Sequence, residues 1–323
     1  MKAIVQDVYG TAEVLKERQI EAPVPAAGQV LVRVHAAGVD PSVWHLMTGL
    51  PYLLRFAGFG VRAPRNPVPG GDLAGVVAEV GGKVTRFRPG DAVFGIGTGT
   101  CAEYAPARED KLAHKPDAMS FEQMAVVPIS GLTALHSLRD CAHVTAGQTV
   151  LVVGASGGVG SYAVQIAKAY GADVTGVCST PKLDFVRSLG ADRVIDYCQQ
   201  DFADGRRQYD VVVDIGGSSP LGWLRRALTR AGTLVLVGGE GGGRWFGTTG
   251  RSLVAPLMSP FVSQKLRIRV PRENHTDMAG LASLMSEGKM MPAIDRVYSL
   301  AEVPQAIGYL ADGKARGKVA IHV

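Results

Sequence analysis

A glycine-rich segment has the residue types and the spacing to bind a pyrophosphate. The segment Gly154–Gly160 reads Gly-Ala-Ser-Gly-Gly-Val-Gly and follows the apolar run Thr149–Val153. Set against the pattern G-x-G-x-x-G, Ala155 replaces the first glycine, while Gly157 and Gly160 hold the other two places. The second glycine lets the backbone approach the pyrophosphate, and the third lets the following helix pack closely on the strand. We therefore predict a dinucleotide site that contains Ala155, Ser156, Gly157, Gly158, Val159 and Gly160.

The end of the next strand indicates which dinucleotide is bound. Proteins that bind NAD carry Asp or Glu there, about 20 residues beyond the motif, to hold the ribose hydroxyls. Here residues 177–182 read Val-Cys-Ser-Thr-Pro-Lys and contain no carboxylate. Ser179 can donate a hydrogen bond and Lys182 supplies a positive charge for a 2′-phosphate, so we predict NADPH. In the alternative interpretation Ser179 and Thr180 cap the next helix and Lys182 is solvated; the two interpretations can hold together.

The elements around this loop alternate between strands and helices. This alternation predicts parallel βαβ units and a doubly wound Rossmann sheet, because a helix must cross over between parallel strands. The predicted strands lie at 149–153, 174–177, 193–196, 209–214, 233–237 and 266–270, and the predicted helices at 159–169, 182–189 and 221–229.

The two ends of the chain are expected to form a second domain together. The first 120 or so residues are rich in alternating strand patterns such as Val30–Val34, and the pieces after Pro271 cannot all extend the Rossmann sheet. We predict a discontinuous β-rich catalytic domain, residues 1–121 and 271–323, with a Rossmann domain inserted at 122–270 and a cleft between them. The long irregular stretch Leu50–Gly71 is typical of a substrate wall or lid, the alternative being a surface excursion.

Composition excludes several other classes of protein. The net charge is +5, but no lysine- or arginine-rich block is present, so nucleic acid is not expected as the main partner. The chain has no apolar run long enough to span a membrane and no signal peptide pattern. Its four cysteines are scattered, without a C-x-x-C pair. We expect a cytoplasmic protein with no membrane partner.

On these motifs the chain resembles the medium-chain dehydrogenase/reductase superfamily, and within it the zinc-independent quinone oxidoreductases. Besides the glycine loop, the resemblance rests on Ala36–Pro41, Pro69–Val77, Ile129–Ala134, Leu189–Asp192 and Gly313–Val319. It implies a GroES-like catalytic domain, an inserted Rossmann domain and a homodimer. It also implies the positions of several groups around the cofactor.

In the resemblance, Ser179, Lys182 and Tyr197 surround the adenosine 2′-phosphate, and Lys314 or Arg316 closes that pocket. The remaining implied residues lie at the reactive end of the cofactor. Thr133 lies near the nicotinamide, and Gly238 and Gly239, after the fifth strand of the Rossmann sheet, lie against it.

Zinc is the metal to consider on this fold, because zinc alcohol dehydrogenases share it. A catalytic zinc there takes Cys, His and a further Cys or Asp. Here the segment that would carry the first cysteine reads Gly38-Val39-Asp40, and the segment that would carry the histidine reads Gly70-Gly71-Asp72. A four-cysteine structural lobe is also missing. His35 and His45 remain, but lone histidines are more often packed or solvated than ligands, so we predict no metal.

Without a metal, the site must polarise a carbonyl by hydrogen bonds. Tyr52, at the start of the long loop, could donate to the developing oxyanion. Asp40 stands where many relatives carry Asn, and Val43 where many carry Asp. The catalytic candidates are thus Tyr52, Asp40 and Thr133; alternatively, Asp40 only caps the following turn and Tyr52 only packs.

These inferences together predict an NADPH-dependent reductase of quinones or α,β-unsaturated carbonyls. An alcohol dehydrogenase or an enoyl-thioester reductase on the same fold is an alternative of the same class. A non-catalytic NADPH-binding sensor or interaction protein is an alternative of another class. Assays with a quinone, an enone and a secondary alcohol would separate these hypotheses.

Overall fold

Two units of the chain each have their own sheet and core. The computed structural model describes residues 1–238, 243–245, 247, 249–270 and 272–323 of the 323-residue chain. The first unit comprises Met1–Leu132, Arg272–Gly288 and Pro292–Val323, and the second comprises Thr133–Pro271 with Lys289–Met291. The chain passes from the first unit to the second after Leu132, whereas the sequence patterns predict this boundary after residue 121.

The strands of the described residues form two large sheets and one short two-stranded ribbon. In chain order they are β1 Lys2–Val5, β2 Lys16–Gln19, β3 Gln29–Val39, β4 Asp72–Val80, β5 Ala92–Ile96, β6 Tyr104–Arg108, β7 Leu112–His114, β8 Thr149–Val153, β9 Asp173–Cys178, β10 Arg193–Asp196, β11 Tyr209–Asp214, β12 Leu228–Leu236, β13 Lys265–Ile268, β14 Ile294–Ser299 and β15 Lys318–His322. The α-helices are α1 Pro41–Thr48, α2 Phe121–Ala125, α3 Pro128–His136, α4 Gly158–Ala169, α5 Leu183–Ser188, α6 Leu221–Arg226, α7 Thr249–Met258, α8 His275–Ser286 and α9 Val303–Ala311.

The second unit contains a parallel sheet in the order β10-β9-β8-β11-β12-β13. The middle of the two central strands, Val150–Val153 of β8 and Val211–Val213 of β11, is apolar and buried, because helices cover both faces of such a sheet and leave no face for water. The chain order reverses between β8 and β11, which makes their carboxyl ends the topological switch point. The predicted doubly wound Rossmann sheet is confirmed.

One boundary in this sheet differs from the expectation. The sequence predicts a helix to residue 229, but α6 ends at Arg226 and β12 already begins at Leu228. Leu228 is buried and pairs with Tyr209, so tertiary pairing extends the strand backwards across the turn-like sequence Arg230-Ala231-Gly232.

The first unit contains a mainly antiparallel sheet in the order β14-β15-β3-β4-β5-β7, with β6 also paired to β3. β15, close to the carboxyl end of the chain, lies antiparallel to β3, so the two ends of the chain share one sheet as predicted. The core behind it is built from buried side chains of β3, β15 and α9, such as Val32, Ile307 and Ile321. Among the described residues, none of the helices combines the length and the apolar character that crossing a bilayer would take.

Candidate functional site

The glycine loop is fixed between β8, β9 and α4 in the second unit. The backbone N–H groups of Gly154 and Ala155 both donate to the carbonyl of Val177, at 3.1 and 3.0 Å. Gly154 has a φ of +86°, a backbone conformation that favours glycine. Gly157 is the N-cap of α4, whose first-turn N–H groups have no acceptor within the helix. The loop therefore presents a positively polarised helix end at the carboxyl edge of the sheet.

The space around the glycines fits a pyrophosphate cradle. A Cβ on Gly160 would lie 2.1 Å from the carbonyl oxygen of Gly154, so the third glycine is required for packing. A Cβ on Gly157 would lie 3.6 Å from that same oxygen, an ordinary contact. The second glycine is thus not required by packing within the chain. The backbone at Gly157 therefore leaves room for the close approach of a pyrophosphate, and its binding role stays a prediction.

A second turn meets this loop at the switch point. The N–H groups of Ile215 and Gly216, just after β11, donate to the carbonyl of Val153 at 3.0 and 3.2 Å. A Cβ on Gly154 would lie 2.9 Å from the nitrogen of Gly216. Gly216 is not among the residues predicted from sequence, although the Gly-Gly pair that follows β11 was a signal of close backbone approach.

The predicted 2′-phosphate residues lie at the carboxyl ends of β9 and β10. Ser179 precedes a short 3-10 turn, Thr180–Lys182, and within the described chain its side chain makes no capping hydrogen bond. The backbone N–H of Tyr197 donates to the carbonyl of Cys178 at 3.1 Å, which ties the two strand ends together. The ring of Tyr197 is 59% exposed and is available to a ligand. The three residues Ser179, Lys182 and Tyr197 belong to one edge of one sheet, and their role there stays a prediction.

A carboxylate that is not among the predicted site residues lies at the same edge. The hydroxyl of Thr180 donates to Oδ2 of Asp196 at 2.5 Å, and the N–H of Cys198 donates to Oδ1 at 3.0 Å. The hydrogen bond from Thr180 is the main cause that lowers the pKa of Asp196. The register of β10 with β9, which pairs Asp196 with Cys178, brings this carboxylate to a strand end whose own sequence contains none.

The remaining predicted cofactor residues are Lys314, Arg316, Gly238 and Gly239. Lys314 lies in the first unit and its Nζ contacts Oδ2 of Asp312 at 2.7 Å, while the N–H of Arg316 donates to Asp295. Gly238 follows β12, with open space where a side chain would stand. Gly239 lies outside the described residues.

Asp40, a catalytic candidate, is the N-cap of α1 in the first unit. Its Oδ1 accepts hydrogen bonds from the N–H of Ser42 at 2.8 Å and from the hydroxyl of Ser42 at 2.5 Å. Its Oδ2 is buried and accepts no hydrogen bond from any described residue. Asp40 thus caps α1 through one oxygen, as in the capping alternative, and its catalytic role stays a prediction.

Tyr52 and Thr133, the other catalytic candidates, have different surroundings. The guanidinium of Arg55 lies 4.8 Å from the centre of the Tyr52 ring and 4.3 Å from that of Tyr9, so the arginine is held between two aromatic rings. Thr133 is buried in α3, where its carbonyl accepts the hydroxyl of Ser137 at 2.7 Å. The catalytic role of both residues stays a prediction.

A buried charged cluster in the first unit was not expected. Lys318 is 1% exposed; its Nζ donates to the hydroxyl of Ser130 at 3.0 Å and lies 3.7 Å from Oδ2 of Asp72. Oδ1 of Asp72 accepts the N–H of Ile129, in the first turn of α3, at 2.9 Å. The feature of the sequence that could have indicated this cluster is the lysine at the start of the apolar strand Lys318–His322.

The histidines that remained as metal candidates have other partners. The ring of His35 stacks on Phe121 with the centroids 4.4 Å apart, and Nδ1 of His45 lies 2.8 Å from the carbonyl of Leu50. Within the part of the chain that the structure describes, no three His, Cys, Asp or Glu side chains come close enough together to hold a metal ion.

Comparison with known proteins shows the family to which this fold belongs. Residues 26–137 match the family model of the alcohol dehydrogenase GroES-like domain, and residues 189–321 match that of the zinc-binding dehydrogenases. The quinone-oxidoreductase QR1 of Triphysaria versicolor, a chloroplastic protein, is 32% identical over 344 residues, which cover 99% of this chain and 98% of that protein.

Solved structures agree over the whole length. The quinone oxidoreductase from Coxiella burnetii has a TM-score of 0.87 and 30% identity, covering 100% of this chain and 99% of that one. The Escherichia coli quinone oxidoreductase, solved in complex with NADPH, has a TM-score of 0.85 and 26% identity, covering 100% of both chains. The chain belongs to the medium-chain dehydrogenase/reductase superfamily, and within it to the quinone oxidoreductase-like family. It is an oxidoreductase, as predicted.

Proposed function

We propose that this protein is an NADPH-dependent reductase of quinones or α,β-unsaturated carbonyls that works without a metal. The observation that carries the proposal is the glycine cradle at the switch point, where packing within the chain requires Gly160 but does not require Gly157. The names of the relatives, quinone oxidoreductases of which one was solved with NADPH, support the reaction and the cofactor.

The residues present fit a reduced pyridine dinucleotide. The first turn of α4 would hold the pyrophosphate, because its N–H groups have no acceptor within the helix and the positive end of the helix dipole attracts an anion. When bound, the cofactor supplies a hydride from C4 of its nicotinamide ring. The chain's own contribution is to position the acceptor and to exclude water.

The preference for NADPH rests on charge at the ends of β9 and β10. Lys182 supplies a positive charge, and Ser179 and Tyr197 supply hydroxyls. The carboxylate of Asp196 would instead favour NADH, since it could accept a hydrogen bond from a ribose hydroxyl as in NAD-binding proteins. Because Thr180 and Cys198 already donate to its two oxygens, we propose that this carboxylate organises the turn and does not bind ribose.

The proposed substrate class follows from the absence of three convergent metal ligands among the described residues. Hydrogen-bond donors alone suffice to stabilise the oxyanion of a quinone or an activated enone, which accept hydride readily. Tyr52, on the long loop, is the donor that we propose for this role, with Asp40, at the N-cap of α1, and Thr133, near the nicotinamide, as the other catalytic candidates.

The test combines binding, turnover and metal analysis on the purified protein. We expect a lower dissociation constant for NADPH than for NADH, turnover of a quinone or an enone but not of a secondary alcohol, and less than stoichiometric zinc. Tighter NADH binding would overturn the cofactor assignment, and stoichiometric zinc with alcohol turnover would favour an alcohol dehydrogenase. NADPH binding without turnover of any acceptor would favour a sensor.

We also propose a homodimer in the cytoplasm. β13 is the last strand of its sheet, and the exposed apolar residues Leu257, Phe261 and Val270 lie close to it in sequence, a combination that a second copy would cover. The four cysteines are free thiols, which suits a reducing compartment. Sedimentation of the purified protein tests the dimer: a monomer at micromolar concentration would contradict it.

A further inference from the structure

The long loop of the first unit carries an exposed apolar surface. Four large apolar side chains face solvent there: Leu53 is 44% exposed, Phe56 68%, Phe59 44% and Val61 56%. Phe56 and Phe59 belong to the short helical segment Arg55–Phe59, and the other two lie within two residues of its ends. Single exposed apolar residues are common, but four in one short stretch of chain indicate a contact surface. We call these four residues the loop patch.

The backbone that carries the loop patch is held by hydrogen bonds within the first unit. The hydroxyl of Tyr9 donates to the carbonyl of Gly60 at 2.6 Å and lies 3.1 Å from that of Phe59. The guanidinium of Arg55 donates to the carbonyl of Gly49, the C-cap of α1, at 2.9 Å. The apolar side chains are therefore exposed although their backbone is tied to the rest of the unit.

The segment around the loop patch carries positive charges and no negative ones. Residues 41–71 contain three arginines, Arg55, Arg62 and Arg65, and neither Asp nor Glu. Three cations and no acid give this segment a formal charge of +3, against +5 for the whole chain of 323 residues. Arg55 is used inside the loop, whereas Arg62 and Arg65 are both exposed. More than half of the net charge is thus concentrated in one short, partly apolar segment.

The two exposed arginines of the segment differ from others in the same unit. Arg18, for example, is paired with Asp7 at 2.6 Å. Arg62 and Arg65 have no acidic side chain within ion-pair distance among the residues that the structure describes. Free positive charge beside exposed aromatic rings is complementary to a partner that is anionic at its surface and apolar beneath it. A bilayer with anionic headgroups has both properties.

We propose that the loop patch docks this protein on the surface of an anionic lipid bilayer. Leu53, Phe56 and Phe59 enter the boundary between headgroups and acyl chains, and Arg62 and Arg65 contact lipid phosphates. The contact is peripheral and needs no spanning helix. It replaces the expectation of no membrane partner, which considered only spanning segments and signal peptides. It does not rest on the proposed function.

Charge favours a bilayer over a second copy of the chain at this surface. In a two-fold dimer the same patch of both copies meets, so the arginines of one copy would face those of the other. Like charges brought together in this way oppose association, whereas the negative surface potential of anionic lipids attracts them. The loop patch is also separate in sequence from the exposed residues near β13 that we assign to the dimer.

The first measurement is co-sedimentation of the full chain with lipid vesicles, without cofactor or acceptor. With vesicles of phosphatidylcholine that contain about one-third phosphatidylglycerol, we expect binding that weakens as the salt concentration rises. Vesicles of pure phosphatidylcholine should bind about tenfold more weakly, because they lack the negative surface potential. Absence of binding to the anionic vesicles, or equal binding to both kinds, overturns the proposal. Neither result touches the proposed reductase activity.

Two double variants assign the contact to the loop. Phe56→Ser with Phe59→Ser should weaken binding to the anionic vesicles about tenfold, because two rings no longer leave water. Arg62→Gln with Arg65→Gln should weaken it by a similar factor and reduce its dependence on salt. All four positions are exposed, so the denaturant midpoint should not change. Native vesicle binding in either double variant overturns the proposal.

A matched pair of exposed valines separates the loop patch from apolar exposure in general. Val61→Ser should weaken vesicle binding about threefold. Val24→Ser is the control, because Val24 is 87% exposed but has Glu21 three residues before it, and binding should stay unchanged. Equal effects of the two substitutions overturn the assignment. Sedimentation of the phenylalanine double variant decides the remaining alternative: a dimer that becomes a monomer makes the patch a subunit interface and overturns the proposal.

Discussion

The carbonyl oxygen of Gly154 lies 2.1 Å from the position that a Cβ on Gly160 would occupy. Helix α4 therefore packs directly on the turn that leaves β8, and only glycine fits at this contact. At Gly157 the same oxygen would be 3.6 Å away, so packing within the chain tolerates a methyl group there. Packing within the chain therefore requires the glycine at Gly160 but not the one at Gly157, for which we propose a role in binding.

Substitution of these glycines by alanine separates the two roles. Gly160→Ala should destabilise the protein by about 1–3 kcal/mol, because overpacking shifts α4 away from the loop. Gly157→Ala should lower the free energy of unfolding by less than about 1 kcal/mol, because alanine is a poorer N-cap than glycine, but should weaken NADPH binding at least tenfold, because the proposed pyrophosphate would meet the added methyl group. Denaturant unfolding and fluorescence titration measure the two quantities. Equal loss of stability in both variants would contradict the division of roles.

Lys182 should distinguish NADPH from NADH. Lys182→Ala removes a cation that is expected to face the 2′-phosphate, and a charged hydrogen bond of this kind contributes about 1.5–3 kcal/mol. We expect the dissociation constant of NADPH to rise at least tenfold and that of NADH to stay unchanged. Arg187→Ala is the matched control, because Arg187 pairs with Asp184 at 2.6 Å on an exposed surface. An equal effect of Lys182→Ala on the dissociation constants of both cofactors would show that the lysine does not bind the 2′-phosphate.

Two lysines that both pair with aspartate should differ strongly in their contribution to stability. Lys318 is buried beside Asp72, so Lys318→Ala should lower the free energy of unfolding by about 3–5 kcal/mol, because a buried carboxylate loses its cation. Lys168 pairs with Asp192 at 2.8 Å, but both side chains are about one-third exposed. Lys168→Ala should therefore cost less than about 1 kcal/mol. Similar losses in the two variants would argue against a buried charge at Lys318.

The thiols should react in an order set by burial. Burial raises the pKa of Cys101 to about 12 and is the main cause that raises the pKa of Cys178 to about 11. Because the thiolate is the reactive form, both should resist an aromatic disulfide reagent at pH 8 until the protein unfolds. Cys198 is exposed and should react first, and Cys198→Ser should remove this fast phase. A fast phase that survives in Cys198→Ser would assign the reactivity to another cysteine.

Patterns local in sequence determined much of this protein. The glycine loop, the apolar strand before it and the alternation of strands and helices predicted the Rossmann sheet, because each signal lies within one element or one turn. The motifs shared with the family extended the prediction to the second domain. Six residues of the loop, Ala155 to Gly160, lie at the strand-to-helix turn where they were expected.

Only the tertiary structure decided which side chains from distant segments of the chain contact one another. Asp196 reaches Thr180 through the pairing of β10 with β9, and the pairing of β3 with β4 and with β15 brings Lys318 to Asp72. In the sequence analysis, Asp72 belongs to the segment in which a zinc-binding histidine is absent, and Lys318 belongs to the last family motif of the chain. Neither residue was predicted to be part of a buried charged pair. Which buried charges face one another depends on strand register, and register is fixed by the packing of whole sheets and not by any local pattern of residues.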